Sequence, residues 1–574
     1  MKHFFGRFLR WICLALLLVA GWSLLPALPA QAATPTLVVN ANQVLRSVTH
    51  VASGGLYGLG SDATPADSMV TPLHPRDFVQ MAPNGQQLPN GASAPGGDAL
   101  VVASKAARAG AVVTIRMPDY YPNFPYRWVS WANWLSVVDG EVAARKAATS
   151  VTNINAWELW NEPDWTWDTT NAGSFNAGWV RTYQEVRAKD STTPIQGPSI
   201  SVYNASYMSS FLSYAKTNKA LPNIISWHEL SGQSRIAADI SAYRSLESSL
   251  GISPLPIAIE EYAQPGEVGI PGSLVGYIAK FERGKVDNAE LAFWNQYGTF
   301  DDMVINNTQP NGAWWLYKWY GDMSGNMLVT TPPAQTGLDG AASVTSSGNQ
   351  VSVIFGGGSG SNSVTINGLN ALSAFGSSAT VTLEYVPSLG RTTAVTGTTV
   401  VSVANYTITN GSITVPISNM SSTAGYHLRI TPAGTALYNK IVNKNSGLVL
   451  GISGASTSSG AQVLQWSDSG TADHLWHLVD AGGGYVKIVN RNSGLLLGIT
   501  SASTSAGAIA LQWTDNGTAD HLWQIVDAGG GYVKLVNKNS GLMLGISGAS
   551  TSAGALALQW TDNGTADHLW KIQS

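Results

Sequence analysis

The sequence predicts an α/β (β/α)8 barrel, followed by an all-β sandwich and an all-β trefoil. Between residues 34 and 325, eight short apolar segments alternate with stretches of the length that barrel connections have. From about Asn326 the composition shifts to Ser, Thr, Gly and Val, with period-two alternation typical of a sandwich of about seven strands. From Gly434 a unit of 47 residues occurs three times, which predicts a three-fold trefoil because one unit cannot bury its own apolar face.

Residues 1–33 are predicted to be a signal peptide. An apolar run, Trp11–Ala20, and the cleavage motif Ala30-Gln31-Ala32 follow three basic residues, which are Lys2, Arg7 and Arg10. The run is too short to span a bilayer, so we expect a secreted, extracellular protein without a membrane anchor. The only cysteine, Cys13, lies in this segment, so the mature chain is expected to have no disulfide and no cysteine metal site.

The size and charge of the mature chain limit the number of domains and the kinds of partner that we expect. About 540 residues are too many for one hydrophobic core, which agrees with three domains. Loss of the three basic residues takes the formal net charge from −4 to −7, and only 11% of the residues are charged. Such a surface argues against a nucleic-acid partner. The 21 Trp and 20 Tyr supply aromatic faces of the kind that stack on sugars, although Trp is also an ordinary core residue.

The barrel prediction, residues 34–325, rests on the order of its segments. The eight predicted strands are Gly55–Gly60, Arg76–Met81, Ala111–Met117, Ala156–Glu162, Ile195–Ser199, Ile224–Leu230, Ile257–Tyr262 and Leu291–Tyr297. The predicted helices include Gly97–Ala109, Arg145–Val151, Gly178–Lys189, Ser206–Asn218 and Ala237–Leu250. Active sites of such barrels lie at the carboxyl ends of the strands, so polar residues that end the fourth and seventh strands are expected at one rim.

The fourth predicted strand delivers an amide and a carboxyl to that rim. Its apolar run ends in Asn161-Glu162-Pro163, and we expect the strand to stop there because proline cannot donate to a ladder. Asn-Glu-Pro after a strand resembles the acid/base motif of the clan A glycosidases, which are (β/α)8 barrels. The resemblance implies that Glu162 is the general acid/base and that Asn161 binds the 2-hydroxyl of the sugar. An ordinary turn is the alternative.

The seventh predicted strand offers two carboxylates, Glu260 and Glu261. Adjacent residues on a strand point to opposite faces, so only one is expected to enter the barrel mouth, and periodicity does not decide which. In clan A this strand ends in a Glu followed by an aromatic residue, which Glu261-Tyr262 matches. The resemblance implies that Glu261 is the nucleophile and that Tyr262 binds substrate. Glu260 is then a structural carboxylate, or the nucleophile if the match is misleading.

Further rim residues resemble sugar-binding positions. Ser226-Trp227-His228 is similar to the sixth-strand element of family 39 and family 51 glycosidases, where the His shapes the sugar subsite. Trp294 matches the eighth-strand Trp that floors this subsite. Trp165 lies beyond a strand end, where a subsite aromatic residue belongs. Ordinary packing is the alternative for all three, and Glu158 is predicted to be a buried hydrogen-bond hub.

The barrel most resembles family 39, which implies a retaining glycoside hydrolase acting on O-glycosidic bonds of poly- or oligosaccharides by double displacement. No cofactor and no metal are expected, and a monomer is expected. Three other interpretations stay open: an inactive carbohydrate-binding protein, a lectin-type toxin or adhesin, and a transglycosylase. The sugar is undetermined, with β-xylosides, arabinosides and galactosides as analogies.

The sandwich, residues 326–433, shows no catalytic motif. Family 39-like enzymes build such a sandwich partly from residues before the first barrel strand. The run from Thr34 to Arg46, predicted to form an edge strand or two, is therefore a candidate to join it.

The trefoil, residues 434–574, resembles the ricin-type lectin modules of secreted glycosidases. The resemblance implies that it binds a glycan through residues beside its three Gln-Trp pairs, which are Trp466, Asp468, Trp513, Asp515, Trp560 and Asp562. Turn formation is the alternative for the three Asp residues. Two departures stand out. His-Leu-Trp replaces the usual Q-x-W in each repeat, and Gly451, Gly498 and Gly545 stand where sugar-binding copies usually carry Asp.

Overall fold

A computed structural model describes residues 34–573, so the predicted signal peptide lies outside the described residues. The described chain forms a closed barrel, a sandwich and a trefoil, which confirms the predicted fold class. Among its helices, none combines the length and the apolar character that crossing a membrane requires.

The barrel closes from eight parallel strands. After a first strand outside it, β1 (Thr36–Ser47), these are β2 (Gly54–Leu56), β3 (Asp77–Met81), β4 (Val112–Arg116), β5 (Ile154–Glu158), β6 (Ile195–Ile200), β7 (Ile224–Glu229), β8 (Ile257–Tyr262) and β9 (Asn288–Leu291). A short hairpin follows, β10 (Val304–Ile305) and β11 (Gln309–Pro310). The helices are α1 (Asp67–Val70), α2 (Ala99–Arg108), α3 (Trp131–Ala147), α4 (Pro163–Thr166), α5 (Thr169–Ala172), α6 (Phe175–Lys189), α7 (Ala205–Thr217), α8 (Ile236–Ser249), α9 (Pro271–Arg283) and α10 (Gly312–Gly321).

Several element boundaries differ from the predictions. β5 ends at Glu158, four residues before Glu162, because the chain turns there and Pro163 starts α4. β9 ends at Leu291, so Trp294 lies in the following loop. The predicted helix Arg145–Val151 is wrong, since α3 ends at Ala147. Its true start is set by Ser130, whose hydroxyl accepts the backbone N–H of Asn133 as an N-cap.

The sandwich contains nine strands rather than about seven. These are β1 and β12 (Asn326–Thr331), β13 (Asp339–Val344), β14 (Val351–Gly356), β15 (Gly360–Asn367), β16 (Ser378–Val386), β17 (Thr399–Thr407), β18 (Ile413–Met420) and β19 (Gly425–Pro432). β1 pairs antiparallel with β12 and parallel with β15. The barrel joins the sandwich through α9, where Lys280 and Arg283 form ion pairs of 2.8 and 2.7 Å with the buried Asp339.

The trefoil repeats four strands three times. They are β20 (Tyr438–Asn443), β21 (Val449–Ile452), β22 (Val463–Trp466), β23 (Trp476–Gly482), β24 (Tyr485–Asn490), β25 (Leu496–Ile499), β26 (Ala510–Trp513), β27 (Trp523–Gly529), β28 (Tyr532–Asn537), β29 (Met543–Ile546), β30 (Ala557–Trp560) and β31 (Trp570–Gln573). The Trp of each His-Leu-Trp is fully buried, and its Nε1 donates to a backbone carbonyl 2.9 Å away. These tryptophans therefore build the core of the trefoil.

The trefoil packs directly on the sandwich. Val400 and Val403 of β17 belong to the same apolar cluster as the trefoil core. Lys571 Nζ donates to Thr396 Oγ1 at 2.9 Å and to the carbonyl of Gly397 at 3.2 Å. The two β domains thus share buried apolar surface.

Candidate active site

A cleft of about 290 Å³ opens at the carboxyl-terminal rim of the barrel. Five residues predicted from the sequence line it, namely Asn161, Glu162, Trp165, Glu261 and Trp294. The cleft also exposes aromatic surface at Phe124 and Phe293. A concave site with two carboxylates among aromatic rings is the arrangement expected of a carbohydrate-binding cleft.

Glu162 is held in place from three sides. Its backbone is left-handed (φ 51°), and its N–H donates to the carbonyl of Ser199 at 2.9 Å. Trp165 Nε1 donates to Glu162 Oε2 at 2.8 Å, and His228 Nδ1 lies 3.1 Å from Oε1. Both carboxyl oxygens are therefore oriented before a substrate arrives, and Trp165 still exposes 53% of its surface at the cleft mouth.

Of Glu260 and Glu261, only Glu261 lines the cleft at the barrel mouth, but both side chains lie inside the barrel, so the expected opposite orientation of the two is wrong. The register shifts between Trp227 and His228 against β8, and again between Ile259 and Tyr262 against β9. Such irregularities break the alternation of side chains along a strand. Glu261 lines the cleft, whereas Glu260 is fully buried and accepts a hydrogen bond from Gln196 Nε2.

Arg116, at the end of β4, is a site residue that the sequence analysis missed. Its Nη1 donates to Glu261 Oε1 at 2.8 Å and its Nε to Glu158 Oε2 at 2.7 Å, with only 1% of the residue exposed. Burial by itself lowers the pKa of Arg116, but the neighbouring carboxylates outweigh burial and raise it, so the guanidinium stays charged. A single basic residue in an otherwise apolar strand was a usable signal.

His228 lies between carboxylates rather than in the cleft, which corrects its predicted contact with sugar. The residue is fully buried and is not among the described residues that line the cleft. Its Nδ1 and one oxygen each of Glu162 and Glu261 all lie within 4.8 Å of one another. Burial lowers the pKa of His228, but the charges of Glu261 and Glu162 overcome this effect and raise it. The same spacing would also suit a metal ion.

Three further residues predicted at the site, Tyr262, Trp294 and Asn161, lie in different environments. Tyr262 points away from the cleft: its ring is fully buried beside Tyr277, and its hydroxyl donates to the carbonyl of Ala52 at 2.7 Å. Its predicted substrate contact is therefore corrected, because the bulge in β8 turns Glu261, not Tyr262, to the cleft. Trp294 lines the cleft and donates Nε1 to the carbonyl of Ala263 at 3.2 Å. Asn161 Oδ1 is buried at the cleft without a hydrogen-bond partner among residues 34–573.

The opposite wall comes from loops after the first three barrel strands. Tyr57 donates its hydroxyl to Asp119 Oδ2 at 2.6 Å, or to Gln87 Oε1 at 3.0 Å, and Tyr126 donates to Asp119 Oδ1 at 2.8 Å. Burial raises the pKa of Asp119 to about 6. These residues fix the cleft wall, and no sequence motif marks them. The lining residues that sequence analysis missed are Leu56, Tyr57, Gln87, Pro89, Asn90, Arg116, Phe124, Leu230 and Phe293.

The three Gln-Trp pairs lie on the surface of the trefoil. Trp466, Trp513 and Trp560 expose 46%, 40% and 40% of their surface. The three Asp residues beside them pair with lysines at 2.5 Å: Asp468 with Lys440, Asp515 with Lys487 and Asp562 with Lys534. Each of these Asp residues also accepts the backbone N–H of the glycine two positions later. This favours a turn-forming role for the three carboxylates.

The two departures from the ricin-type pattern are physically coupled. A Cβ placed on Gly451, Gly498 or Gly545 would lie 2.4, 2.1 or 2.0 Å from the ring of a buried histidine. That histidine is the one of His-Leu-Trp in the same repeat, namely His474, His521 or His568. The imidazole therefore occupies the space that the family's aspartate would need.

Comparisons with known proteins match the trefoil to a family model and the chain to a solved structure. The model of the ricin-type beta-trefoil lectin domain-like family matches residues 426–513, 480–560 and 519–574. N2152 from Neocallimastix frontalis has a solved structure that is 38% identical, with a TM-score of 0.66, and covers 70% of this chain and 100% of its own. The chain belongs to the family of N2152.

Two curated relatives carry glycosidase names. A 3-O-beta-L-arabinopyranosyl-alpha-L-arabinofuranosidase from Bifidobacterium pseudocatenulatum is 28% identical over 370 residues, which are 54% of this chain and 37% of that protein. A 3-O-alpha-D-galactosyl-alpha-L-arabinofuranosidase from Bifidobacterium longum subsp. longum is 27% identical over 371 residues, 53% of this chain and 32% of that protein. The chain thus spans about a third of the length of the curated relatives it matches. Its homologues are glycoside hydrolases, and it carries a ricin-type trefoil.

Proposed function

We propose that this protein is a retaining glycoside hydrolase. The observation that carries the proposal is the short gap between Glu162 and Glu261, each of which places an oxygen within 4.8 Å of the other and of His228 Nδ1. Retaining enzymes hold their carboxyl groups about 5–5.5 Å apart, whereas inverting enzymes need about 6.5–9.5 Å to admit a water molecule between carboxylate and sugar. The gap in this cleft therefore supports the retaining mechanism.

The two carboxylates take different roles because their partners differ. Glu261 receives a hydrogen bond from a permanently charged guanidinium, which favours the anion that a nucleophile must be. Within the described chain, Glu162 instead meets Trp165 Nε1 and His228 Nδ1, and the charge of this histidine changes with pH whereas that of a guanidinium does not. Glu162 is therefore the acid/base. Glu260, the alternative nucleophile, is fully buried and does not line the cleft.

The reaction then runs in two displacements. Glu261 attacks the anomeric carbon while Glu162 donates its proton to the leaving oxygen, and a glycosyl ester forms on Glu261. Glu162, now a carboxylate, takes a proton from water, and the resulting hydroxide oxygen displaces Glu261 from the anomeric carbon. Asn161, whose Oδ1 is unpartnered among residues 34–573, is positioned at the cleft to accept from the 2-hydroxyl.

α-L-Arabinofuranosides are the substrate class that we propose first. The names of both curated relatives begin with a 3-O-linked sugar and end in alpha-L-arabinofuranosidase. The cleft is lined by aromatic residues, among them Phe124 and Trp165 at its mouth, which suits a substrate longer than one sugar. We further propose export by residues 1–33, action as a monomer, glycan binding by the trefoil, and a family 39-like mechanism.

A panel of aryl glycosides followed by NMR tests this proposal. We expect release of the aryl group from α-L-arabinofuranosides, with the first-formed sugar keeping the anomeric configuration of the substrate. An inverted first product refutes the retaining mechanism. Sugar bound without release refutes the enzyme and favours the lectin-type protein. Release of the aryl group with sugar transferred to an added alcohol in preference to water favours the transglycosylase.

Metal dependence needs its own control, since Glu162, His228 and Glu261 have a spacing that a divalent ion would accept. Arg116 already occupies one oxygen of Glu261. We expect full activity after dialysis against a chelator. Loss of activity that added metal restores would contradict the two-carboxylate mechanism.

A further inference from the structure

His228 is enclosed by charged groups from three other strands or loops. Nδ1 faces Glu162 Oε1 at 3.1 Å and Glu261 Oε2 at 3.8 Å, and Nε2 faces Glu260 Oε2 at 3.9 Å. The charged or titratable groups around the ring are Glu162 after β5, Glu260 and Glu261 on β8, Arg116 on β4 and Glu229 on its own strand. Carboxylates therefore flank both nitrogens of one imidazole.

A neutral His228 ring would leave its contact with Glu260 without a hydrogen bond. Once Glu162 is ionised, Nδ1 faces a carboxylate and must carry a hydrogen, and a neutral ring then presents a lone pair at Nε2. Within the described chain, neither His228 Nε2 nor Glu260 Oε2 has a hydrogen-bond partner, and both residues are fully buried. A lone pair of the ring facing the carboxyl oxygen 3.9 Å away would repel it, so a proton must lie between them.

That proton belongs on the imidazole. Glu162 and Glu261 on the opposite side of the ring favour the cation, while Gln196 Nε2 donates to Glu260 Oε1 and leaves Oε2 facing the ring. The Glu260 carboxylate and the His228 imidazolium, 3.9 Å apart, therefore form a buried ion pair in which each charge balances the other.

We propose that Glu260 is a positioning residue that keeps His228 protonated, and that this imidazolium sets the pH at which Glu162 releases its proton. The inference rests on the acid/base role proposed for Glu162. The cation lies 3.1 Å from Glu162 Oε1, and Glu260 lies on the far side of the ring, so the nearer positive charge dominates. It favours the carboxylate form of Glu162, which the second displacement needs to deprotonate water.

The test compares Glu260→Gln with Glu260→Asp and with a matched control, Glu290→Gln. Glu290 is also a fully buried barrel carboxyl, but it accepts from Asn288 and does not contact His228. In Glu260→Gln the ring loses its counter-ion. We expect the basic limb of the kcat/KM profile to move up by about half to one pH unit, because Glu162 loses the adjacent cation. Glu260→Asp should restore part of this shift, and Glu290→Gln should leave the limb in place.

Nitrogen NMR of histidine-labelled protein gives a readout that does not depend on catalysis. The His228 signal is identified by its loss in His228→Gln. We expect its protonation midpoint to fall by about one pH unit or more in Glu260→Gln, and by much less in Glu290→Gln. An unchanged midpoint, or a basic limb that stays or moves down, overturns the inference. Failure of the acid/base role proposed for Glu162 would give a different result. Glu162→Ala would then lose no activity, while the protonation midpoint of His228 would still fall in Glu260→Gln.

Discussion

Replacing Arg116 should change the pH at which Glu261, the proposed nucleophile, ionises. Arg116→Met removes the guanidinium that donates to Glu261 Oε1 at 2.8 Å and to Glu158 Oε2 at 2.7 Å. The charge centres are about 4 Å apart, and at an effective dielectric constant of about 20 their attraction is about 4 kcal/mol. One pH unit corresponds to about 1.4 kcal/mol, which bounds the change at about 3 units, and a cation at this distance usually contributes about 1–3 units.

The acid limb of kcat/KM measures this change. In Arg116→Met it should move up by about 1–3 pH units, because the carboxylate form of Glu261 loses its counter-ion. A dinitrophenyl glycoside is the proper substrate, since its leaving group needs no proton and the limb then reports on the nucleophile alone. Arg116→Lys keeps the positive charge but lacks the planar guanidinium that donates to both carboxylates. Its acid limb of kcat/KM should therefore lie between those of Arg116→Met and the unchanged protein.

Stability is the second consequence of this substitution. Breaking a buried ion pair by removing one partner costs about 3–5 kcal/mol. Burial already raises the pKa of Glu158 well above its ordinary value, so Glu158 can take up a proton and reduce that cost. Profiles must therefore be recorded well below the melting temperature of each variant. If the acid limbs of Arg116→Met and the unchanged protein coincide, Arg116 does not control the nucleophile and the assignment fails.

The other predictions concern the acid, the domain contact and the trefoil. Glu162→Ala should lose about 10²–10⁴-fold on a natural glycoside and far less in glycosyl-enzyme formation from a dinitrophenyl glycoside, whereas an equal loss on both substrates would point to another acid. Truncation after Pro432 should keep the rate on a small aryl glycoside but lower the melting temperature, because Val400 of the shared core becomes exposed; an unchanged melting temperature would show that the contact is not stabilising. The truncated chain should also lose retention on an insoluble polysaccharide, and equal retention would refute glycan binding by the trefoil. Gly498→Ala should destabilise the trefoil by about 1–3 kcal/mol in urea unfolding, since the new Cβ meets His521 at 2.1 Å, and a neutral result would mean that the imidazole moves aside freely.

Local patterns predicted much of the fold. Eight alternating segments indicated the barrel, and a unit repeated three times indicated the trefoil, because both patterns repeat within short windows. Boundaries were less accurate where distant contacts decide them. Glu162 lies four residues beyond β5, because its left-handed backbone is secured by the carbonyl of Ser199, which sequence periodicity does not reveal.

The site was only partly predictable for the same reason. Asn161-Glu162-Pro163 is a local motif, so the sequence could place Glu162 at the cleft, whereas the relation of Glu260 to Glu261 depends on register shifts against two neighbouring strands. The alternation rule therefore failed there, although resemblance still singled out Glu261, which lines the cleft. Arg116 was available as a lone charge in an apolar strand, but its partners come from other strands.

The identity of the nucleophile is the central claim, and azide rescue tests it most directly. Glu261→Gly removes the attacking oxygen and leaves Glu162 in place, so azide can enter the space and attack the anomeric carbon from the nucleophile's side. We expect a folded, nearly inactive variant that azide reactivates on a dinitrophenyl glycoside, with NMR showing a glycosyl azide of inverted configuration. An inverted azide from Glu260→Gly and none from Glu261→Gly would contradict the assignment.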